Sequence, residues 1–252
     1  MKNKQNNELA VCGLAAVKAL AEKNPQKITR FYYTAERSRL FGDLCKTLAI
    51  RKAPYNQVSH EDDLKKLSGT VHHQGVVAMI DMPQIEILSP LYIKGLIANK
   101  ESALLLDHIG NANNIGAIVR SAAFFGVKNI IIPMDEAQSS ITTSSYRIAQ
   151  GGMEYVNILG VRSIPELLEE VRGKILRLGT DVHGTKLIED IPSLSPEKKS
   201  LLVVLGNEEN GISQAVKARC DYLLTISTPV HVLDSLNVAQ AAAVILYEMA
   251  KN

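Results

Sequence analysis

Five short runs dominated by aliphatic residues recur through the second half of this chain: ALLL at 103–106, NIII at 129–132, KILRL at 174–178, SLLVVL at 200–205 and YLLTI at 222–226. Strands with apolar residues at successive rather than alternate positions are buried on both faces. The intervals between them carry helical patterning, at 115–125, about 144–150, 164–172 and 236–250. Strands alternating with helices in this way predict an α/β fold, a mostly parallel sheet covered by helices on both sides.

Residues before this region form a smaller α/β unit. The pattern predicts a helix at 14–23 stopped by Asn24-Pro25, a strand at 28–34 and a helix at 35–49. A capping box of Ser59 and Asp62 opens a further helix through Leu67, and a strand follows at 75–80. Pro83, Pro90 and the piece LYIKGLIANK break the rhythm. The expected domains are 1–85, a linker at 86–100, and 101–252.

Of the 252 residues 46% are hydrophobic and 21% charged, ordinary values for a globular chain. Cys12, Cys45 and Cys220 are scattered, with no Cys-x-x-Cys pair, so neither a metal site nor a disulfide framework is expected. The first seven residues are polar, and Lys18, Glu22 and Lys23 interrupt the apolar stretch that follows. That excludes a signal peptide or membrane span there and places the expected location in the cytoplasm. Residues 1–90 hold 13 Lys and Arg against 9 Asp and Glu, whereas the remainder holds 15 against 17. A mildly basic first half is compatible with an RNA-facing surface but is not diagnostic of one.

Three stretches have compositions that packing alone does not require, and each lies at a strand end, where open parallel sheets bind ligands. In LDHIGNANNIGAIVR, Asn114, Gly116 and Arg120 fall at or just inside a helix start; Asn113 or Asn114 is equally readable as a plain N-cap, with Arg120 a surface residue. In LLVVLGNEENGIS, Gly206 and Gly211 allow a tight loop that presents backbone groups around Glu208. No Gly-Lys-Ser/Thr and no Gly-x-Gly-x-x-Gly occurs, which argues against ATP and NAD. In the third, YLLTISTPVHVLDSLNVAQAAAVILYEM, Ser235 is suited to cap the last helix, and Asn237 followed by Ala239 and Ala241–Ala243 suits close backbone packing.

Together these segments resemble the three motifs of the SpoU/TrmH branch of the SPOUT methyltransferases, in order and spacing. The resemblance extends to the first domain, where VCGLAAVKAL and HHQGVVAMI are similar to the signatures of an L30e-like RNA-binding domain; within the branch, QGGMEY and LDSLNVAQAAAV are most similar to the TrmH-like tRNA/rRNA methyltransferases. It implies a SPOUT fold whose last strands and C-terminal helix form a trefoil knot, preceded by the L30e-like domain that binds the RNA substrate. It further implies an RNA methyltransferase that uses S-adenosylmethionine to methylate a ribose 2′-hydroxyl of tRNA or rRNA, acting as a homodimer without a metal. The alternative from another class is a non-catalytic RNA-binding or ribosome-assembly protein that keeps the fold; Arg120 argues against it. Base methylation, performed by other SPOUT branches, is a further alternative.

By the same resemblance, Arg120, Asn114, Glu208, Ser235 and Asn237 are the catalytic set, and the backbones of Gly206, Ile226 and Leu236 contact the cofactor. Arg120 has two open roles. It accepts the hydroxyl proton in a desolvated site, or it pairs with the neighbouring phosphate and stabilises developing charge. Two departures from the family pattern stand out. Asn111-Ala112-Asn113-Asn114 replaces Asp-Pro-x-Asn, and Ile226-Ser227-Thr228-Pro229-Val230-His231 replaces Ile-Pro-Met and a glycine before Ser-Leu-Asn.

Overall fold

The computed structural model describes residues 2–3, 7–135, 138, 140–195, 199–228, 232 and 235–251. The chain divides into two compact units, Met1–Gln84 with Ser140–Tyr155, and Ile85–Ser139 with Val156–Asn252. The first contains β1 (Lys2–Asn3), β2 (Glu8–Cys12), α1 (Leu14–Lys23), β3 (Ile28–Thr34), α2 (Gly42–Ile50), β4 (Tyr55–Val58), α3 (Glu61–Ser68) and β5 (Val76–Asp81). Its sheet runs β1-β2-β5-β3-β4, antiparallel except for the β3–β4 pair. Ala10, Cys12, Leu64, Val77 and Met79 form the core between sheet and helix.

Helix α1 and strand β3 have the predicted bounds, but the helix expected over 35–49 divides into a 3₁₀ turn at Ala35–Phe41 and α2. The Ser59–Asp62 box does not form. Helix α3 opens after His60 with no side-chain cap, and Glu61, Asp62 and Asp63 in its first turn offset the helix dipole instead. Helix α6 (Thr143–Ala149) also belongs to this unit. Thr142 and Ser145 make a reciprocal capping box, and Tyr146 and Ala149 are buried.

The second unit holds β6 (Glu86–Ile87), α4 (Pro90–Ala98), β7 (Ala103–Asp107), α5 (Ala112–Phe125), β8 (Asn129–Pro133) and β9 (Asn157–Val161). It continues with α7 (Ile164–Glu170), β10 (Leu176–Thr180), β11 (Lys186–Leu187), α8 (Ile191–Leu194), β12 (Leu201–Gly206), α9 (Gln214–Lys217), β13 (Tyr222–Thr225) and α10 (Val238–Met249). The eight strands run β11-β13-β10-β12-β7-β8-β9-β6, every pair parallel. The stretch expected to be a linker is ordered: β6 pairs with β9, and α4 buries Ile93 and Leu96.

Strands β7, β8 and β12 are buried almost throughout, as their unbroken aliphatic runs require. Successive strands go outward from β7 to β8 and β9 on one side, while β12, β10 and β13 occupy the other. The order therefore reverses between β7 and β12, and the crevice beyond their carboxyl ends is where such sheets bind ligands. Among the described residues no helix is long and apolar enough to cross a membrane.

One charged pair is built into this sheet. Arg177 on β10 is 5% exposed; its Nε and Nη2 donate to Asp221 at 3.1 and 2.5 Å, and its Nη1 donates to the Leu168 carbonyl at 3.0 Å. Burial opposes ionisation of Asp221, yet the Arg177 hydrogen bonds hold its carboxyl below the usual range. A depressed carboxylate pKa contributes stability that is present above about pH 4 and is lost as the pH falls through the lower folded-state value. Asp221→Ala leaves Arg177 buried without its partner, and the expected loss is about 3 kcal/mol in urea unfolding at neutral pH, shrinking in acid.

Candidate active site

The carboxyl ends of β7 and β12 lie side by side, with Asp107 paired to Gly206 in the ladder. Beyond β7 the chain enters α5, capped by Asn111, whose side chain accepts from the Asn113 amide at 2.8 Å. The cap is thus Asn111, and the helix starts ahead of Asn114. That frees the Asn114 side chain for longer-range contacts. Its Nδ2 donates to Glu208 Oε1 at 2.5 Å, and its Oδ1 accepts from Asn237 Nδ2 at 3.3 Å. Residues 94 and 123 positions away in sequence thereby meet on one amide.

Beyond β12 the chain turns sharply. Asn207 and Gly211 exchange backbone hydrogen bonds at 3.2 and 2.9 Å, and Asn207 Oδ1 accepts from the amides of Glu209 and Asn210. Gly211 sits at φ 64, a left-handed conformation that favours glycine. A Cβ on Gly206 would collide with the backbone of Gly211 and Ile212, so only glycine lets the loop close over the strand end. Glu208 is carried on the exposed tip of this loop.

Asn237 is the N-cap of α10, accepting from the Ala239 amide at 2.9 Å. Ser235, expected to be the cap, lies two residues before the Asn237 cap and is exposed. Leu236 is exposed and Ile226 half-buried, both on segments outside any strand or helix. Pro229, Val230, His231 and Asp234 lie outside the described residues. Arg120 is exposed on α5, and its guanidinium makes no hydrogen bond or ion pair among the described residues. The structure thus joins Asn114, Glu208 and Asn237 through hydrogen bonds and leaves the Arg120 and Ser235 side chains open to solvent.

Sequence reading missed a second cluster at the end of β7. His108 Nδ1 lies 2.5 Å from Asp107 Oδ1, and its Nε2 lies 2.8 Å from Asp135 Oδ2. The His108 backbone is left-handed at φ 59, a conformation costing a side-chain-bearing residue about 1 kcal/mol. Its carbonyl accepts from Asn207 Nδ2 at 2.9 Å, while Gln138 holds both backbone groups of Ile109. Nothing in the spacing of Asp107, His108 and Asp135 links them; only the adjacency of β7 and β8 does.

Among the described residues no group of three or more His, Cys, Asp or Glu side chains could hold a metal ion. Burial pushes the thiols of Cys12 and Cys220 up to about 11, far from the thiolate form that a metal or electrophile needs.

Residues 101–247 match the SpoU rRNA methylase family, and residues 10–86 match the family described as RNA 2′-O ribose methyltransferase substrate binding. The chain is 30% identical to a 23S rRNA (guanosine-2′-O-)-methyltransferase, RlmB, of Acinetobacter baylyi, over 95% of each chain. It is also 30% identical to an "uncharacterized tRNA/rRNA methyltransferase" of Haemophilus influenzae, over 98% of this chain and 67% of the relative. The structure superposes on the SpoU methyltransferase AviRb of Streptomyces viridochromogenes in complex with AdoMet, with a TM-score of 0.71 and 25% identity, covering 98% of this chain and 91% of that one.

Gly206 and Asn114 should differ in their tolerance of substitution. Gly206→Ala should cost about 1–3 kcal/mol, because backbone must shift to admit the methyl group. Asn114→Ala, which removes two hydrogen bonds at a half-exposed position, should cost about 1 kcal/mol or less. Chemical unfolding of the two variants side by side measures both.

Proposed function

Because the chain belongs to the SpoU rRNA methylase family, we propose that it transfers a methyl group from S-adenosylmethionine to a ribose 2′-hydroxyl of ribosomal or transfer RNA. The observation that carries this reading is the tie of Asn114 to both Glu208 and Asn237, which gathers the ends of three sequence segments next to the unpaired Arg120 helix. A fold kept only to bind RNA has no need of that convergence.

The residues present fit S-adenosylmethionine. The glycine-closed loop at Gly206 brings main chain, not side chains, to the end of β12. Ile226 and Leu236 lie on stretches whose backbone is outside the sheet ladder and the helices. An adenine edge is read well by main-chain donors and acceptors. When bound, the cofactor supplies a methyl group on a sulfonium, already activated for displacement.

The protein's own contribution is then orientation and charge control. Arg120 carries a planar, permanently charged fork suited to an RNA phosphate, and it positions the ribose while stabilising negative charge that develops on the 2′-oxygen. Asn114, Glu208 and Asn237 hold the start of α5 against the two neighbouring loops, and Ser235 stands at the rim beside Asn237. The 10–86 match, on the unit with the basic excess in its sequence, supports RNA binding by the first unit.

The second unit also offers a face for a second copy. Phe124, Val244 and Tyr247 are exposed at 82%, 38% and 53% on the adjacent helices α5 and α10, and Phe125 meets Tyr247 edge-on at 6.2 Å. An apolar face of this kind favours an isologous dimer built on α10 and α5. Ile245, in contrast, is buried within its own unit.

Arg120→Ala should lower turnover on RNA by about 10²-fold or more while leaving S-adenosylmethionine affinity, measured by calorimetry, within about twofold. Retention of more than a tenth of the turnover rules out the assigned role. Light scattering coupled to size exclusion should give twice the 27.5 kDa chain mass. Val244→Asp should split that species without unfolding it, since the position is already partly exposed.

A further inference from the structure

We propose that His108, as the imidazolium, is a positioning residue for the methyl-transfer site: clasped between Asp107 and Asp135, it holds the left-handed turn that aims its own carbonyl at Asn207 and so sets the loop bearing Glu208. The inference rests on the reading of Gly206 and Glu208 as parts of that site.

Both ring nitrogens lie within hydrogen-bond distance of a carboxylate oxygen. Neutral imidazole has one N–H and one lone pair, so it satisfies one carboxylate and presents the lone pair to the other. Only the doubly protonated ring donates to both. Asp107 is itself fixed, with a 4% exposed side chain whose Oδ2 accepts from the Ser213 amide, so the β7 end of the clasp cannot swing away to relieve a mismatch. Asp135, half exposed after β8, supplies the other end.

The clasp matters because of what the turn carries. A left-handed residue directs its carbonyl differently from an extended one, and the His108 carbonyl accepts from Asn207 Nδ2. The same Asn207 side chain accepts from the Glu209 and Asn210 amides and shapes the loop whose Glu208 meets Asn114. The links run from ring to turn, from turn to Asn207, and from Asn207 to Glu208. His108 touches none of the reacting atoms; it acts through the loop.

Among the described residues the titratable groups facing the ring are Asp107 from β7 and Asp135 from the segment after β8; the 207–213 loop meets this segment through the neutral Asn207 amide and the Ser213 N–H. Burial disfavours the charged ring, but hydrogen bonds and attraction from Asp135 and Asp107 outweigh it and raise the pKa above the ordinary histidine value. A raised pKa means that the clasp is fully made below about pH 6.5 and is lost as the pH climbs through the folded-state value.

The test uses the full-length chain. A histidine NMR titration, with His108 assigned by its loss in His108→Asn, is recorded together with the backbone amides of Glu209 and Asn210. The expected result is a His108 midpoint above the ordinary value, the two amides moving with the same midpoint, and a lower midpoint in Asp135→Asn. Calorimetry should show S-adenosylmethionine binding about three- to tenfold weaker at about pH 9 than at about pH 6, with that dependence absent in His108→Asn, where asparagine tolerates the left-handed turn but does not titrate. Amides that ignore the His108 midpoint, or an unchanged midpoint in Asp135→Asn, overturn the proposal, as does pH-independent binding by the wild type. Amides that follow His108 in a protein that binds no S-adenosylmethionine at any pH uphold the clasp and refute the methyl-transfer reading instead.

Discussion

The parallel pairing of β7 with β12 is the interaction on which the second unit depends. It joins strands about 100 residues apart in sequence, in a register that runs from Ala103 opposite Leu202 to Asp107 opposite Gly206. Parallel neighbours cannot be joined by a tight turn, so each strand end must lead away into a loop and helix. At this pair the loops leave in opposite senses across the sheet, toward β8 on one side and toward β13 on the other. The last ladder partners, Asp107 and Gly206, are followed at once by His108 and Asn207. Two buried aliphatic strands thereby deliver two polar corners to the same place.

The contrast between these strands and the loops they carry is energetic as well as chemical. Leu104, Leu105, Leu106, Val203 and Val204 are wholly buried, each worth about 1.5–3 kcal/mol of transfer free energy. Glu208, Arg120 and Ser235 are exposed, and hydrogen bonds at such positions contribute about 1 kcal/mol. The geometry of the site is therefore inherited from the backbone rather than enforced by its side chains. Gly206 illustrates the point, since its contribution is the absence of an atom.

What could be read in the sequence follows from how locally each feature is encoded. The unbroken aliphatic runs announce β7, β8 and β12, and the bounds of α1 and β3 emerge because Asn24-Pro25 punctuates them. Strand β2 is not legible in the sequence, since its ELAVC merges with the apolar pattern of α1, and β4, with YNQV, is a polar edge strand without alternation. Asn114 and Glu208, from the first two motifs, do meet, but the caps fall two or three residues from the expected ones: Asn111 rather than Asn113 or Asn114 caps α5, and Asn237 rather than Ser235 caps α10. Several Asn and Ser residues in a row each offer a capping side chain, and the choice among them is made by tertiary contacts. The Asp107–His108–Asp135 cluster has no local signature, because it exists only once β8 lies beside β7.

Helix α6 belongs with the first unit although the chain has by then laid down β6, α4, β7, α5 and β8 of the second. The polypeptide consequently passes between the units three times, after residues 84, 139 and 155. Neither unit is a contiguous stretch of sequence. During synthesis, domains commonly fold as they emerge, the N-terminal one first. Here the first unit lacks the buried Tyr146 and Ala149 until more than half the chain has been made, so its completion must wait while five elements of the other unit have already been synthesised. A single crossover between genes also cannot exchange either unit whole. The arrangement couples the inheritance and the assembly of the two units, which are sewn together by the path of the chain.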